Sequence, residues 1–345
     1  PIVQMGLFLD DNGIPISIEM FPGNTLDHLT LRTAMKNTVN DLDLNRFILV
    51  SGRGVYSGTN ICHVINNGNG YIVSKSIKKS TGSDRQWIVE QDGYTEESPD
   101  FKYKSKIAEV TVTDEDGKKI KQKVVVYWNR KFYERERREN RNFIEFIDKL
   151  RSNPNGFRVT AAQSRSIRKY IRKEMLNKNT GEIVDSQELL SMIDDEKLNE
   201  FKELMGYYQI VSSELDTSAK EIIEKYHGLT RIEDQFREMK STLEARPIYV
   251  RTSEHIKAHL IVCFISLTML RVLQLKTQKS IPANADKDTY WFYGMSGNKL
   301  TNILYDWKAD MFSGDYYRMI HSDVDELKKF LSAFEVELEY KLYSI

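Results

Sequence analysis

The chain has 345 residues, of which 40% are hydrophobic and 29% are charged, and its 50 lysine and arginine residues balance 50 acidic residues. This composition supports a sizeable core of roughly two domains and excludes a disordered, collagen-like or strongly basic protein. Two cysteines, Cys62 and Cys263, are too few for a disulfide framework, so we expect buried, reduced thiols in a cytoplasmic protein. Pro1 already lies in an apolar segment typical of a strand, so we expect a fragment that lacks an N-terminal part.

The first 79 residues predict a mixed α/β sheet with helices on its faces. Within residues 2–21, two β-branched, apolar segments flank Asp11-Asn12-Gly13, and this tight-turn sequence predicts a β-hairpin. A helix to about Val39 is expected next. The apolar runs 47–50 and 71–76 predict two buried strands, separated by a glycine-rich turn and a helix. We expect the hairpin and these two strands to belong to the same sheet.

Residues 80–216 have a different composition and predict an α+β insertion. A polar stretch leads into a second hairpin around Asp116-Gly117. Residues 129–173 contain 14 basic and 5 acidic residues and predict two helices separated by Asn153-Pro154-Asn155-Gly156. Residues 176–216 contain 10 acidic and 3 basic residues, so the neutral total conceals two segments of opposite charge.

The rest of the chain is predicted to be mostly helical. A short strand at 206–213 precedes a helical pattern over 218–243. The apolar run 260–273 is shorter than the about 20 residues that a membrane span needs, and it contains Arg271. We therefore expect a buried core helix there. The last 65 residues predict an aromatic-rich helical region that ends in an amphipathic helix from Asp323.

Two patterns are weak indications of ligand sites. Gly52, Gly54 and Gly58 follow an apolar strand and faintly resemble a dinucleotide-binding turn, but no acidic residue ends the next strand, as such a site requires. His255 and His259 have the i, i+4 spacing of a helical metal site, yet no third ligand stands nearby in the sequence. Packed or capping histidines are the expectation, and a nucleotide-binding α/β enzyme is the weaker functional alternative.

The strongest constellation is formed by Tyr226, Glu233 and Lys240. Because seven residues make two turns of helix, we expect the three side chains on one helical face, with Arg237 close by. On spacing alone, an ordinary solvated surface is the more frequent explanation for such a face.

The segment that contains these residues, 226–264, reads YHGLTRIEDQFREMKSTLEARPIYVRTSEHIKAHLIVCF. It resembles the Glu-helix region of bacterial insertion-sequence DDE transposases, which are similar to one another around Y-x2-R-x3-E-x6-K. The tyrosine, glutamate and lysine of this chain fall at the matching places. Residues 13–27 (GIPISIEMFPGNTLD) resemble the second and third strands of that family, and 47–61 (FILVSGRGVYSGTNI) resemble its fourth strand and following turn. The resemblance covers nearly the whole chain, including an insertion before the Glu helix.

This resemblance implies an RNase H-like catalytic domain for cut-and-paste DNA transposition. In such a domain three carboxylates hold two divalent ions, Mg²⁺ or Mn²⁺, which activate the attacking hydroxyl and stabilise the leaving oxygen. It implies that Glu233 is the metal ligand on the helix and that Tyr226, Arg237 and Lys240 contact DNA phosphates. The implied partners are transposon terminal inverted repeats, bound by a homodimer in the bacterial cytoplasm and nucleoid, without a membrane or a small-molecule cofactor.

The same resemblance assigns the segments of the chain. Residues 1–79 and 217–275 are the two parts of the catalytic domain, 80–216 are the insertion, and 276–345 are the helical C-terminal region. Basic residues of the insertion can follow the DNA backbone, and the candidates are Arg135, Arg138, Arg168 and Lys169. The alternative is that these helices only pair with the acidic segment that follows them.

Three departures from the family pattern reduce the expected activity. The first Asp of the family lies on a strand that would precede Pro1. The position of the second Asp is occupied by Gly52, and the arginine of the pattern is replaced by Leu229. Because one of three carboxylates is retained, we expect a truncated, catalytically impaired transposase with no firmly bound metal ion. The alternative from another class is a DNA-binding remnant without catalysis.

Overall fold

The computed structural model describes residues 3–25, 27–43, 45–111, 119–153, 193–278, 295–313, 316–321, 323–337 and 342–344, together with Ile167, Tyr170 and Leu190. The described strands are β1 (Val3–Leu9), β2 (Pro15–Pro22), β3 (Ile48–Ser51), β4 (Gly70–Ser74), β5 (Thr95–Ser98), β6 (Phe101–Thr111), β7 (Lys119–Asn129), β8 (Tyr207–Ser212), β9 (Lys308–Phe312), β10 (Tyr316–Ile320) and β11 (Tyr343–Ser344). The described helices are α1 (Asp27–Leu42), α2 (Gly58–Asn66), α3 (Gly82–Val89), α4 (Arg130–Glu139), α5 (Arg141–Ser152), α6 (Asp195–Glu203), α7 (Ala219–His227), α8 (Thr230–Ser241), α9 (Ser253–Gln278), α10 (Gly297–Asp306) and α11 (Val324–Ser332).

The chain divides into two compact units. One unit, here called the outer unit because it contains both ends of the chain, comprises Pro1–Asn45 and His227–Ile345. The other, here called the inner unit, comprises Arg46–Tyr226. Strands β3 and β4 therefore belong to the same unit as the segment predicted to be an insertion. The boundaries of the two units differ from the predicted boundaries at residues 79 and 216.

The inner unit is built on a six-stranded mixed sheet with the order β3-β4-β8-β7-β6-β5. Strands β3 and β4 are parallel, and every other neighbouring pair is antiparallel. The long hairpin of β6 and β7 confirms the predicted second hairpin, and its turn lies outside the described residues. Every residue of β4 is buried, as expected for a strand covered on both faces.

The outer unit begins with the predicted hairpin, in which β1 pairs with β2. The Asp10 carboxylate accepts hydrogen bonds from the backbone N–H of Asn12 (3.0 Å) and of Ile14 (2.7 Å), and Gly13 has a φ of 81°. This local turn chemistry explains why the sequence identifies the hairpin. The expectation that the hairpin shares a sheet with β3 and β4 is wrong, because β1 and β2 form a separate two-stranded sheet. The protein is thus a mixed α/β protein with small additional sheets.

The basic region of the inner unit differs from the prediction in where its helices break. Helix α4 ends at Glu139. Asn140 follows, its side-chain amide donates to the Glu136 carbonyl (2.7 Å), and α5 begins at Arg141. Two helices therefore precede Asn153. Of the break predicted at residues 153–156, only Asn153 belongs to the described residues. Helix α5 packs against α6 in a small core that contains Phe146, Ile147, Leu150, Ile193 and Leu198.

The C-terminal region is not wholly helical, so that part of the prediction is wrong. Strands β9, β10 and β11 form a three-stranded antiparallel sheet. The rings of Tyr317 and Tyr343 stack across it with centroids 5.2 Å apart. The helix predicted from Asp323 is confirmed as α11, since the Asp323 carboxylate caps it by accepting from the Glu326 N–H (3.0 Å).

Helix α9 has 26 residues and is long and apolar enough to cross a membrane by length and composition. One face is buried within the outer unit and includes Leu260, Leu267 and Leu270. The opposite face is exposed, so the predicted buried core helix is buried on one side only. Both cysteines are buried, as predicted, and no disulfide joins them.

Candidate nucleic-acid interface

The helical pattern predicted over 218–243 consists of two helices. Helix α7 ends at His227 and α8 begins at Thr230, with Gly228 between them. The Arg231 N–H bonds the Gly228 carbonyl (3.1 Å), a three-residue turn that interrupts the α-helical ladder. The expectation that Tyr226 shares one helical face with Glu233 and Lys240 is therefore wrong.

Tyr226 belongs to the aromatic core of the inner unit. Its side chain is buried, and its hydroxyl lies 3.2 Å from that of Tyr208. The Tyr208 ring in turn lies 5.6 Å from the Tyr127 ring, measured between centroids. Burial raises the pKa of the Tyr226 phenol, so the hydroxyl is protonated at neutral pH. Its contact with DNA stays a prediction.

The exposed face of α8 brings together three of the predicted site residues. Glu233, Arg237 and Lys240 line an open depression of about 550 Å³, together with Phe236 and Ser241. Residues at i, i+3, i+4, i+7 and i+8 share one side of a helix, which explains the grouping. The prediction that Glu233, Arg237 and Lys240 lie on one face is confirmed.

The opposite face of α8 is fixed by a buried polar network that sequence reasoning missed. The Gln235 side-chain amide donates to the Gly13 carbonyl (2.8 Å), and its oxygen accepts from Arg271 Nε (2.5 Å). Arg271 also donates from Nη1 to Gln274 Oε1 (2.5 Å), and Gln274 Nε2 donates to the Met295 carbonyl (2.8 Å). The network joins α8 to the β1–β2 hairpin and to α9. An arginine within an apolar run, followed three residues later by glutamine, is the sequence signal that could have found it.

The charged side chains on the exposed face of α8 differ in whether they form ion pairs. Arg237 forms an ion pair with Asp234, which does not line the depression. Burial raises the pKa of the Asp234 carboxyl, while the charges of Arg237 and Arg271 act in the opposite direction. Within the part of the chain that the structure describes, neither Glu233 nor Lys240 forms an ion pair. Lys240 is therefore the cation of this face that is available to an anionic ligand.

The residues of this face do not fit a divalent metal ion. Glu233 is a lone carboxylate with two cationic side chains beside it, whereas Mg²⁺ and Mn²⁺ need several oxygen ligands. Over the described ranges, no group of three or more His, Cys, Asp or Glu residues is arranged to hold a metal ion. We therefore derive no catalytic step through a metal ion.

Gly52 lies in the inner unit, directly after β3. Its backbone is extended (φ −71°, ψ 174°), and no atom lies within 4 Å of the position that a Cβ would take. A side chain is therefore tolerated there without strain. Further along, the Ser57 hydroxyl accepts from the Asn60 N–H (3.2 Å) and caps α2. This cap uses a backbone donor that a dinucleotide turn would offer to a phosphate, which weakens the nucleotide-binding alternative.

The predicted basic residues of the insertion are only partly described. Arg135 and Arg138 are exposed on α4, and Arg135 lies 3.8 Å from Glu139 of the same helix. Arg168 and Lys169 lie outside the described residues. The acidic segment is contacted by other arginines: Arg151 pairs with Asp195, and Arg85 lies 2.5 Å from Glu200. Arg135 of α4 thus pairs within its own helix, whereas Arg151 of α5, the second basic helix, pairs with the acidic segment, as the alternative expects.

The two histidines of α9 have different surroundings. The His255 side chain is exposed, and its backbone N–H donates to the Thr252 hydroxyl (3.3 Å) at the start of the helix. His259 Nε2 lies 3.4 Å from the Ala245 carbonyl oxygen and 4.0 Å from the Cys263 sulfur. Burial raises the pKa of the Cys263 thiol, so it is protonated and a poor metal ligand at neutral pH.

Comparison with known proteins gives no family assignment. No protein-family model and no curated protein matches this chain.

Proposed function

We propose that this protein is a relative of the DDE-type DNA transposases and that it binds DNA through the exposed face of α8. The observation that carries the proposal is the joint placement of Glu233, Arg237 and Lys240 around one open depression, in which Glu233 and Lys240 have the E-x6-K spacing of that family. Because a single carboxylate cannot assemble a two-metal site, the proposed activity of this chain is DNA binding rather than strand transfer.

The order of elements along the chain agrees with that of an RNase H-like domain, although the hairpin forms a sheet of its own. An antiparallel hairpin is followed by α1, a strand, α2 and a second strand, and the last two strands are parallel. Such a series of hairpin, helix, strand, helix and strand agrees with the resemblance of residues 13–27 and 47–61. The interruption between β4 and α8 agrees with an insertion before the Glu helix.

The chemistry of the α8 face suits a phosphate backbone. Lys240 presents an ammonium without an ion-pair partner among the described residues, and a phosphate oxygen is its natural acceptor. Phe236 supplies an apolar floor between the charged side chains. On α4, Arg135 and Arg138 offer a second set of exposed cations. The proposed ligand is double-stranded DNA, with transposon ends as the specific form, bound in the bacterial cytoplasm.

Replacing Lys240 with alanine should weaken DNA binding and flatten its dependence on salt. Loss of one phosphate contact lowers the slope of log affinity against log salt by about 1. We would measure fluorescence anisotropy of a labelled duplex between low and physiological salt. Lys328→Ala removes another exposed cation, from α11, and serves as the matched control. A slope for Lys240→Ala equal to that of the unmodified protein would contradict the proposal.

A further inference from the structure

Helix α9 carries a second apolar seam that no described residue of the outer unit covers. Its four large residues have side chains directed to solvent: Val262 (63% exposed), Ile265 (51%), Met269 (63%) and Val272 (39%). Their spacings of three, four and three residues are those of a helix that packs against another helix. Isolated exposed apolar residues are ordinary, but a contiguous seam of this kind indicates an interaction surface.

The seam is distinct from the face that holds α9 in the fold. The buried seam runs through Leu260, Cys263, Leu267 and Leu270, on the other side of the helix. Between residues 258 and 275 the only Asp, Glu, Lys or Arg is Arg271, and its side chain is 1% exposed. The exposed seam is therefore free of charge over its whole length. Charged residues flank it at both ends, with Glu254 before it and Lys276 after it.

We infer that the exposed seam of α9 pairs with the same seam of a second copy of this chain, with the two helices antiparallel. Glu254 and Lys276 both stand eleven positions from Ile265, and both are exposed. An antiparallel pair centred on Ile265 brings Glu254 of each copy near Lys276 of the other. A parallel pair would instead bring like charges together at both ends. The arrangement is self-complementary, as a two-fold interface requires.

A second copy explains the seam better than a lipid surface does. The Arg271 guanidinium and the buried seam tie α9 into the outer unit, so the helix cannot leave the fold to enter a bilayer. Stable interfaces bury roughly 800 Å² on each partner, which is more than one short seam supplies. The pair should therefore be reversible, with a dissociation constant in the micromolar range. It requires no DNA, so its test is independent of the DNA-binding proposal.

The test is sedimentation velocity of the full chain without DNA, from about 1 to 100 μM, the range of weak interfaces. We expect a concentration-dependent shift from monomer to dimer. Ile265→Glu places two like charges at the centre and should raise the dissociation constant at least roughly tenfold. Leu304→Glu alters a similarly exposed residue on α10 and should leave it unchanged. A monomer at every concentration, or an unchanged dimer for Ile265→Glu, would overturn the inference.

Charge exchange tests the orientation with variants that leave the apolar residues in place. Glu254→Lys and Lys276→Glu should each weaken the dimer by roughly two- to tenfold, and the double variant should restore it. Failure of the double variant to restore the dimer would overturn the antiparallel pairing. Co-sedimentation with phosphatidylcholine–phosphatidylglycerol vesicles is measured in parallel. If the protein is a monomer and its binding to vesicles is lost in Ile265→Glu, the seam contacts a membrane and not a second copy, which would overturn the inference.

Discussion

Arg271→Met is expected to destabilise the outer unit by about 3–5 kcal/mol, because it removes a buried cation from the centre of a polar network. The substitution leaves the side-chain oxygens of Gln235 and Gln274 without the donors that now satisfy them at 2.5 Å. Each buried acceptor that loses its donor costs about 1–3 kcal/mol. Asp234 also loses the nearby positive charge that favours its ionised form.

The free energy of unfolding measured by circular dichroism in urea reports this effect. Lys257→Met changes an exposed cation on the same helix and should alter the free energy by less than about 0.5 kcal/mol. The result bears on the candidate site, because Gln235 lies on the buried side of α8 and anchors the helix that presents Glu233 and Lys240. A loss below about 1 kcal/mol for Arg271→Met would show that the network does not hold α8 in place.

Gly206→Ala should destabilise the inner unit by about 2–4 kcal/mol, the second large effect expected. Gly206 has a φ of 82°, which costs any L-residue with a Cβ about 1–2 kcal/mol. An added Cβ would also lie 2.7 Å from Trp128 Nε1 and 2.7 Å from the Tyr133 Cβ. The glycine thus permits the start of β8 to approach the junction between β7 and α4 closely. This junction sets the position of α4, which carries Arg135 and Arg138.

Gly82→Ala is the matched control for this prediction, since no atom lies within 4 Å of its Cβ position and its φ is not positive. Thermal unfolding followed by tryptophan fluorescence is a suitable measurement, because Trp128 lies at the affected junction. A midpoint for Gly206→Ala equal to that of Gly82→Ala would contradict the assignment of Gly206 as a required glycine.

Hairpins and helical faces could be predicted from the sequence, and the grouping of distant strands into sheets could not. Asp11-Asn12-Gly13 specifies its turn through bonds within four residues, so the hairpin was predictable. The face of α8 follows from helical periodicity alone. The separation of the β1–β2 hairpin from β3 and β4 depends on contacts between distant residues, which periodicity does not contain.

The prediction of one face for Tyr226, Glu233 and Lys240 failed because a short interruption divides the expected helix in two. Gly228 ends the run of helical hydrogen bonds between Tyr226 and Glu233. A spacing of seven residues places two side chains on one face only within a continuous helix, so it does not apply to this pair. The aromatic environment of Tyr226, next to Tyr208 and Tyr127, arises from strands that are far apart in the chain. Arg271 is a similar case, because its partner Gln235 lies on another helix.

The most direct test of the α8 face is the DNA affinity of Glu233→Gln in a chelator-containing buffer. The glutamine keeps the shape of the side chain and removes one negative charge beside Lys240, so repulsion of the phosphates falls. We expect binding about two- to fivefold tighter than that of the unmodified protein. A gain of affinity cannot arise from partial unfolding, and Glu196→Gln on α6 controls for the change in net charge. Equal affinity for Glu233→Gln and the unmodified protein would contradict DNA binding through the face of α8.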